Sequence, residues 1–390
     1  MRPVFADLHV HVGLAKGRPV KITASREMTV ENILKFAARE KGLQLVGLVD
    51  CGSPPVLEEL EELRQRGDLV EGFGGELMYD GEIALIAGAE VESREGAHFL
   101  TYFPDLAAAA EWQKVMKNKV TNLTLSTQKA RYSAVDLLDL AGAVGGVFVV
   151  AHAFTPHKGA YGCWVRRLAD GFGNRVQLID GLELGLSADT DLADRIGEAH
   201  RYSYLSNSDA HSLDKLAREY NLIRMANRSA GELIKALRRR EGRAIVGNYG
   251  MAARLGKYHR SHCVVCDRIE DGPQPAFHCP VCGRLMTAGV WDRIDSISDE
   301  ACSDAAVFHP PGRPPYHYRV PLLMLPGVGK KKYAKLRQHL GTEIEITEMA
   351  EPASIEKASD ARTAGLIQAM RENRLTFMPG GGGRYGRVIE

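Results

Sequence analysis

The sequence has almost no net charge, no long apolar run and few cysteines. Its 390 residues contain 50 Lys and Arg against 49 Asp and Glu, which gives a formal net charge of +1. A near-neutral chain has no overall field that attracts polyanions, so any basic surface must be local. The most apolar region, residues 141–154, is too short for a membrane-spanning helix, which needs about 20 residues. We therefore expect no membrane partner.

The beginning of the chain and its cysteines point to a reducing compartment. Residues 1–7 lack the apolar stretch of a secretory signal peptide. The cysteines number seven, an odd count; four form two Cys-x-x-Cys pairs, and Cys51, Cys163 and Cys302 are scattered. This usage argues against a disulfide framework. We expect a cytoplasmic protein.

Short apolar runs alternate with helical patterns over residues 1–250. Helices are predicted for residues 29–41, 56–66, 133–143 and 229–240, and residues 242–247 resemble a last strand. Strand–helix alternation favours an α/β fold with a largely parallel sheet.

Histidine and carboxylate residues stand where the apolar runs end. In α/β barrels the chemistry lies at the carboxyl ends of the strands, so these side chains should meet at one mouth. The candidate metal ligands are His9, His11, Asp50, Glu90, His98, His152, Asp209 and His211. Imidazole and carboxylate together suit Zn²⁺, Mn²⁺ or Fe²⁺, and eight ligands are enough for two or three ions. Paired metals about 3.5–4 Å apart promote displacement at phosphoesters.

Two basic segments outside these strands have alternative interpretations. Residues 111–133 mix cations with hydroxyl and amide side chains. They form either a solvated insertion or a loop that contacts phosphate. The cations of residues 235–243 suit the C-terminal end of a helix, where positive charge is stabilising.

The composition changes after about residue 254, and the next segment is locally basic. Residues 254–340 hold thirteen Lys and Arg against eight Asp and Glu. The pairs Cys263/Cys266 and Cys279/Cys282 each present two thiolates in a tight turn. Four such ligands predict one closed, tetrahedral structural Zn²⁺ site, with no catalytic role.

A glycine pair followed by lysines stands further on. Gly327 and Gly329 precede Lys330, Lys331 and Lys332 in a stretch that resembles half of a helix-hairpin-helix motif. Glycines allow close approach of a phosphate, the start of the next helix receives it, and lysines add attraction independent of base sequence. These five residues are predicted to bind DNA; an ordinary turn before an amphipathic helix is the alternative.

The segment after this motif ends in a glycine-rich tail. Residues 343–374 have ordinary helical sequence, and residues 380–383 are four consecutive glycines. The tail is either a disordered linker or an ordered loop near DNA, with Tyr385 stacked on a base.

The order of the strand-end motifs resembles the PHP (polymerase and histidinol phosphatase) superfamily of metal-dependent phosphoesterases. Residues 151–156, 181–191 and 205–212, the paired cysteines, residues 325–329 and residues 380–386 are similar to the endonuclease Q family. The resemblance covers nearly the whole chain. In one departure, the superfamily's Asp-His second motif is Asp50-Cys51 here, which puts a third metal site in doubt.

This resemblance implies the fold and the activity. It implies a PHP-type distorted (β/α) barrel, a small four-cysteine zinc module and a helical, helix-hairpin-helix-like C-terminal region. The expected domains are residues 1–250, 251–315 and 316–390. The activity implied is cleavage of DNA on the 5′ side of deaminated bases (uracil, hypoxanthine, xanthine) and of abasic sites. The expected partners are double- or single-stranded DNA with such damage, and the expected cofactors are two or three Zn, Mg or Mn ions and one structural Zn.

Ligand chemistry suggests roles within the cluster. The catalytic set is expected to be Glu90, Asp209, His9, His11 and His152. A carboxylate can hold two ions, so Glu90 is the expected bridge. His9, His11 and Asp209 would complete one shell, and His98 and His152 the other.

The remaining carboxylates and His211 are assigned supporting roles. His211 and Asp50 would serve a third ion or support other ligands. Asp7 would orient a ligand histidine. Glu183 would stand on the same rim, at the end of the run 176–182.

Two other functions are compatible with parts of the sequence. A PHP phosphatase for a small phosphate monoester would use the same metals but needs neither a zinc module nor a hairpin motif. A non-catalytic DNA-binding adaptor is disfavoured by the nearly complete ligand set.

Overall fold

A computed structural model describes residues 1–299 and 306–389, so Cys302 and part of the expected zinc module lie outside the described residues. The strands are β1 (Arg2–Val10), β2 (Leu14–Ala15), β3 (Arg18–Pro19), β4 (Leu45–Leu48), β5 (Leu69–Glu71), β6 (Leu77–Tyr79), β7 (Ile83–Glu92), β8 (His98–Tyr102), β9 (Val147–Val150), β10 (Gly181–Glu183), β11 (Ser203–Leu205), β12 (Tyr220–Met225), β13 (Ala244–Gly250), β14 (His262–Cys263), β15 (Arg268–Ile269), β16 (Tyr316–Tyr318), β17 (Phe377–Met378) and β18 (Arg387–Val388). The α-helices are α1 (Val30–Phe36), α2 (Pro54–Arg66), α3 (Leu106–Met116), α4 (Ala134–Ala143), α5 (Leu168–Phe172), α6 (Thr190–Ala193), α7 (Ala230–Leu237), α8 (Val290–Ile297), α9 (Lys330–Leu340), α10 (Pro352–Ala358) and α11 (Ala361–Arg371).

One large mixed sheet organises the molecule. Its strands follow the order β11-β10-β9-β8-β7-β4-β1-β12-β13-β16, and the β5–β6 hairpin extends from β7. Strands β1, β4 and β7 are mutually parallel, as are β9, β10 and β11. Strand β8 is antiparallel to both β7 and β9, so its first residue lies at the end of the sheet where its neighbours finish.

Side-chain amides bring the two arms of this sheet together. Asn221 in β12 donates to the Ser206 carbonyl at 2.9 Å, and Asn248 in β13 donates to the Tyr204 carbonyl in β11 at 3.1 Å. Within the described residues these amides, and not a backbone ladder, link β11 to β12 and β13. The barrel is therefore distorted, as expected.

The four predicted helices are confirmed, with shifted ends. Thr29 caps α1 by accepting from the Asn32 N–H, and Gly42, with φ of 86°, ends the segment after a π-helical turn at Ala37–Lys41. Helix α7 stops at Leu237, three residues earlier than expected, because the chain turns before the last strand. That strand, β13, runs on to Gly250.

Only the last residues of the run 176–182, which precedes Glu183, form a strand. Residues Gly173–Leu178 form a 3₁₀-helix, and strand β10 has only three residues, Gly181–Glu183. The run is not uniformly buried: Leu178 is 53% exposed, whereas a strand covered on both faces would bury it. Glu183 nevertheless ends the strand as expected.

Apolar residues fill two cores on opposite faces of the sheet. Alternate residues of β1, β4, β7 and β9 pack with α7 in one core, which includes Leu8, Ile86 and Leu233. The other core lies under the helices and includes Ile33, Leu60 and Leu137. Period-two alternation explains how one strand serves both cores.

The C-terminal residues are fastened to the barrel. Strand β16 pairs with β13, so residues expected to begin a separate helical region extend the large sheet. Buried Lys41 and Glu343 form an ion pair at 2.5 Å. The domain boundaries at residues 250 and 315 remain a prediction.

None of the described helices is long and apolar enough to cross a membrane.

Candidate metal centre

The strand ends bring seven of the eight predicted ligands into three overlapping groups. In each group one ligand atom per residue lies within 4.8 Å of the others. The groups are His9/His11/Glu90, His11/Asp209/His211 and Glu90/His98/His152. His9 lies in β1, Glu90 in β7, and His98 begins the antiparallel strand β8. The ligand assignment itself remains a prediction.

The first group is the most deeply buried. His9 and His11 are fully buried, with their Nε2 atoms 3.2 Å apart. The Asp209 Oδ1 atom lies 3.3 Å from His11 Nε2 and 3.6 Å from His9 Nε2. These donors converge on one point, as the shell of one ion requires.

Glu90 belongs to two of the groups through its two oxygens. Its Oε1 lies 3.0 Å from His98 Nδ1 and 3.2 Å from His152 Nε2. Its Oε2 lies 3.4 Å from His11 Nε2. Oε1 also lies 3.6 Å from His9 Nε2, so the carboxylate stands between the two groups. Its role as a bridge stays a prediction.

Two carboxylates contact the Nδ1 atoms of His9 and His11, on the side of each ring that faces away from the first group. Glu183 lies 3.0 Å from His9 Nδ1, and Asp50 lies 3.0 Å from His11 Nδ1. Asp50 also accepts from the Val12 N–H at 2.6 Å, so both of its oxygens are engaged outside the three groups. Such partners set the ring orientation and tautomer of a ligand histidine. The Asp50 side chain is thus positioned to support His11.

Asp7 accepts hydrogen bonds from backbone N–H groups around the cluster. Its oxygens accept from the N–H groups of His9, Ser208 and Ala217, at 3.4, 3.1 and 3.1 Å. Burial raises its pKa to about 6. Asp7 therefore ties β1 to the loop that carries Asp209, and its contact with His9 is through the backbone, not the ring.

Two candidate ligands have strained backbones. His152 has φ of 26° and Asp209 has φ of 46°, in the left-handed region that residues with a Cβ atom rarely adopt. Such strain is concentrated at functional sites, where the surroundings hold it in place. Both turns point the side chain back toward the other ligands.

Two residues that the sequence did not single out as ligands enter the cluster. Lys21 donates to Glu90 Oε2 at 3.1 Å and to the Thr127 hydroxyl at 2.6 Å, and Thr127 itself donates to Glu90 Oε2 at 2.8 Å. Thr127 belongs to the segment 111–133, which therefore reaches the centre and does not stay in solvent. Neither residue follows an apolar strand of the large sheet, so no strand-end signal could have found them.

The charges of the cluster act differently on its members. Burial opposes protonation of His9, but Glu183 and Glu90 raise its pKa to about 9, and the pKa values of His11 and His98 are raised as well. Burial opposes ionisation of Glu90, but Lys21 and His98 hold its pKa well below the usual range. Burial and the neighbouring His11 lower the pKa of His211 to about 4. Ionised carboxylates and neutral imidazoles are the forms that bind metals.

The donor set fits divalent metal ions. Imidazole nitrogens and carboxylate oxygens converge in all three groups, and this combination of ligands suits Zn²⁺, Mn²⁺ or Fe²⁺. Burial of Cys51 raises the pKa of its thiol to about 12, and the thiol donates to the Leu48 carbonyl. Cys51 is therefore not an available ligand.

A cleft of about 740 Å³ opens above the cluster. Its floor includes Glu90, His152 and Asp209, and its rim carries cations and aromatic rings. The rim residues used below are Lys215, Arg218, Lys257, Tyr258 and Tyr385. A site of this size accommodates a ligand of nucleotide dimensions.

The glycine-rich tail is ordered, and its residue Tyr385 lies at this rim. A Cβ atom on Gly380 would come within 2.7 Å of the Gly256 carbonyl, and one on Gly386 within 2.4 Å of the Met378 carbonyl. Arg218 donates to the Tyr385 hydroxyl at 3.2 Å. The glycines thus allow a close approach of two backbones, which favours the ordered alternative.

The four paired cysteines also converge. Their sulfurs lie within 4.8 Å of one another, and those of Cys263 and Cys282 are 3.7 Å apart. Tetrahedral Zn²⁺ with bonds of about 2.3 Å separates its sulfurs by roughly 3.8 Å. The arrangement is consistent with a zinc module.

The glycine–lysine motif begins a helix. Gly327, with φ of 80°, turns the chain, and Gly329 is the N-cap of α9. Lys330 and Lys331 are exposed, whereas Lys332 donates to Asp360 at 2.6 Å. The first two lysines remain the better candidates for contact with phosphate.

Known proteins resemble this chain over its whole length. A structure of the lesion-specific endonuclease PfuEndoQ from Pyrococcus furiosus aligns with a TM-score of 0.85 and 32% identity, covering 99% of this chain and 95% of that one. A structure of endonuclease Q in complex with a 27-mer duplex substrate, with an abasic lesion at the active site, gives the same TM-score and identity. The uncharacterized protein YqxK of Bacillus subtilis is 37% identical over 396 residues, covering 100% of both chains.

No family model matches the chain. The structural likeness nevertheless extends through the barrel, the four-cysteine module and the helical C-terminal region, at an identity that also implies common descent. The fold class expected from the sequence is therefore confirmed. The chain belongs to the endonuclease Q family.

Proposed function

We propose that this protein is a metal-dependent DNA repair endonuclease that nicks the strand on the 5′ side of deaminated bases (uracil, hypoxanthine, xanthine) and of abasic sites. The observation that carries the proposal is the likeness, over 99% of the chain, to an endonuclease Q whose substrate duplex has an abasic lesion at the active site. The buried cluster and the open cleft supply the chemistry and the space that such a reaction needs.

The chain's own residues would hold the metals and the phosphate. His9, His11 and Asp209 would form one set of donors, since Asp209 Oδ1 lies 3.6 and 3.3 Å from the Nε2 atoms of His9 and His11. His98 and His152 would form the other set, and Glu90 would join the two. The bound ions would supply hydroxide for attack on phosphorus and stabilise the leaving 3′-oxygen. We propose Zn²⁺, Mg²⁺ or Mn²⁺ at this centre and one Zn²⁺ in the four-cysteine module.

Cations on the rim of the cleft would bind the DNA backbone. Lys215, Arg218 and Lys257 surround the opening. Lys and Arg contacts to phosphate position a strand without reading its sequence. This local basic surface compensates for the near-neutral charge of the whole chain.

Tyr385 is suited to contact a base at the same opening. Its ring is 38% exposed, and the side chains of Arg218 and Lys257 lie 5.7 and 5.8 Å from its centroid. An aromatic face stacks on any base, which suits an enzyme with several lesions as substrates. A flipped, damaged base could enter the cleft beside it.

A cytoplasmic location stays a prediction.

Labelled duplexes test the activity. We expect Mn²⁺ or Mg²⁺ to support a nick 5′ to uracil, hypoxanthine, xanthine or an abasic site, and no nick in an undamaged duplex. Asp209→Ala should abolish nicking and retain DNA binding, since the rim cations are intact. Hydrolysis of a small phosphate monoester without any nicking would favour the phosphatase alternative and overturn the proposal.

A further inference from the structure

Lys21 is a cation fixed among the metal-ligand side chains. Its side chain is only 13% exposed, and its ammonium nitrogen lies 3.1 Å from Glu90 Oε2. The backbone around it is fastened to β1 and the residues that follow: the Lys21 N–H donates to the Val12 carbonyl at 3.0 Å, and the Val20 N–H donates to the Gly13 carbonyl at 3.0 Å. The ammonium group is therefore held in the centre by the fold.

The donors near Lys21 are too few for a third metal ion. His11 Nδ1 is engaged by Asp50, so His11 offers only Nε2, which can bind one ion and already faces His9 and Glu90. The group His11/Asp209/His211 then retains only His211 and the carboxylate of Asp209. Asp50 is occupied by His11 and Val12, and Cys51 is buried and bonded to a carbonyl.

The same region holds several negative charges. Glu90, Asp209 and Asp50 all contribute attraction to the Lys21 ammonium. A site with three close carboxylates requires compensating positive charge, because their mutual repulsion is weakly screened in a buried setting. Lys21 supplies that charge without occupying a donor atom of the histidines.

We propose that Lys21 takes the place of a third metal ion: the centre holds two exchangeable divalent ions, while the Lys21 ammonium positions Glu90 Oε2 and adds a fixed positive charge at the floor of the cleft. The inference rests on the proposed function for its effect on phosphate, but not for its effect on metal binding. Lys21 is thus a positioning residue that acts through Glu90.

This role predicts opposite effects of Lys21 removal on metal binding and on nicking. Removal of a positive charge lowers the electrostatic repulsion that a bound metal ion experiences, so metal binding should stay as tight or become tighter. Nicking should nevertheless slow, because Glu90 is less well held and the developing charge on the phosphate loses a cation. A purely structural role would weaken both properties together.

Mn²⁺ binding and nicking measured side by side test the proposal. Chelator-treated protein is titrated with Mn²⁺ by calorimetry, and cleavage of an abasic-site duplex is measured at saturating Mn²⁺. We expect two exchangeable ions in the wild type and no weaker affinity in Lys21→Met, with nicking about 100-fold slower. Lys21→Arg should restore part of the rate. Lys16→Met is the matched control, since Lys16 pairs with Glu62 at the surface and should change neither property.

Three results would overturn the proposal: three exchangeable ions in the wild type, unchanged nicking in Lys21→Met, or a joint loss of Mn²⁺ affinity and nicking in that variant. If the wild type nicks no damaged duplex, the proposed function fails. The number of ions and the affinity of the variants for Mn²⁺ would then still decide whether Lys21 replaces a metal.

Discussion

Individual carboxylates contact the candidate ligand histidines on the side away from the cluster. His9 and His11 each have a carboxylate on the ring nitrogen that faces away from the group. A carboxylate in that position keeps the opposite nitrogen unprotonated toward the ion and fixes the ring plane. Glu183 also accepts from the His152 N–H at 3.0 Å, so a single residue supports two candidate ligands.

Removal of Glu183 should therefore weaken metal binding more than it weakens the fold. We expect Glu183→Ala to raise the dissociation constant for Mn²⁺ about 10–100-fold. Excess Mn²⁺ should recover much of the nicking activity. Calorimetric titration measures the constant, and Glu62→Ala, a loss of a surface carboxylate, serves as control. Unchanged affinity would show that His9 does not depend on this partner.

The carboxyl group of Glu219 should make the free energy of unfolding depend on pH. Burial raises its pKa to about 8, and within the described residues its Oε2 has no hydrogen-bond partner. A raised acid pKa favours the neutral form in the folded state. Stability from this group is therefore complete below the unfolded value near 4.5 and declines as the pH rises through about 8.

Glu219→Gln should remove this decline, because an amide does not ionise. We expect the variant to exceed the wild type in free energy of unfolding by about 2–4 kcal/mol at pH 8, with a difference that shrinks toward pH 5. Thermal unfolding midpoints at pH 5, 6, 7 and 8 measure the trend. A difference independent of pH would mean that Glu219 is ionised in the folded protein.

At the scale of elements, helix α9 has an N-terminus suited to phosphate. The exposed Lys330 and Lys331 begin the helix, and its cap, Gly329, has no side chain to occupy the first N–H groups. Lys332 instead joins α9 to the start of α11 through Asp360 and Thr363. Neighbouring lysines therefore have different roles, a distinction that depends on which face of the helix each occupies.

Lys330→Ala/Lys331→Ala should weaken binding to damaged and undamaged duplexes equally. The slope of log affinity against log salt should become shallower by about 0.9 for each lost phosphate contact. Fluorescence anisotropy over a salt series measures both effects, with Lys332→Ala expected to leave the slope unchanged. A change of preference among lesions at constant affinity would instead place this motif in the lesion pocket.

At the scale of the whole molecule, the four-cysteine module supports the tail that reaches the metal cleft. A Cβ atom on Gly381 would come within 2.5 Å of Ile269, and Arg384 pairs with Asp267 at 3.4 Å. Tyr385 follows directly. A structural site remote from the cluster is thereby connected to the rim where DNA would bind.

Loss of the module's metal should therefore affect more than stability. We expect Cys279→Ser/Cys282→Ser to contain one zinc fewer, to unfold at a lower temperature, and to bind lesion-bearing DNA more weakly while the cluster still binds Mn²⁺. Elemental analysis, thermal unfolding and anisotropy measure these effects. Cys163→Ser is the matched control, because Cys163 is an exposed cysteine outside the module. An unchanged zinc content would exclude the four-cysteine site.

Much of the candidate centre could be predicted from the sequence because its candidate ligands lie at or near the ends of strands. Strands β1, β4, β7, β9 and β11 end at the same mouth of the barrel. A histidine or carboxylate after an apolar run is therefore predicted to lie at that mouth. The paired cysteines are equally local, since each turn presents its own two sulfurs. The run 176–182 shows the limit of such patterns, because an apolar composition alone does not distinguish a strand from a 3₁₀-helix.

The sequence by itself determined the fold class, the candidate ligands at the strand ends and the paired cysteines, because all of them depend on residues that are near one another in the chain. Only the tertiary structure decided that Asp50 faces His11, that Lys21 and Thr127 reach Glu90, and that Tyr385 returns to the cleft. These contacts join residues 37 to 167 positions apart. No local pattern encodes them, because their geometry depends on how loops pack after the strands have formed the sheet.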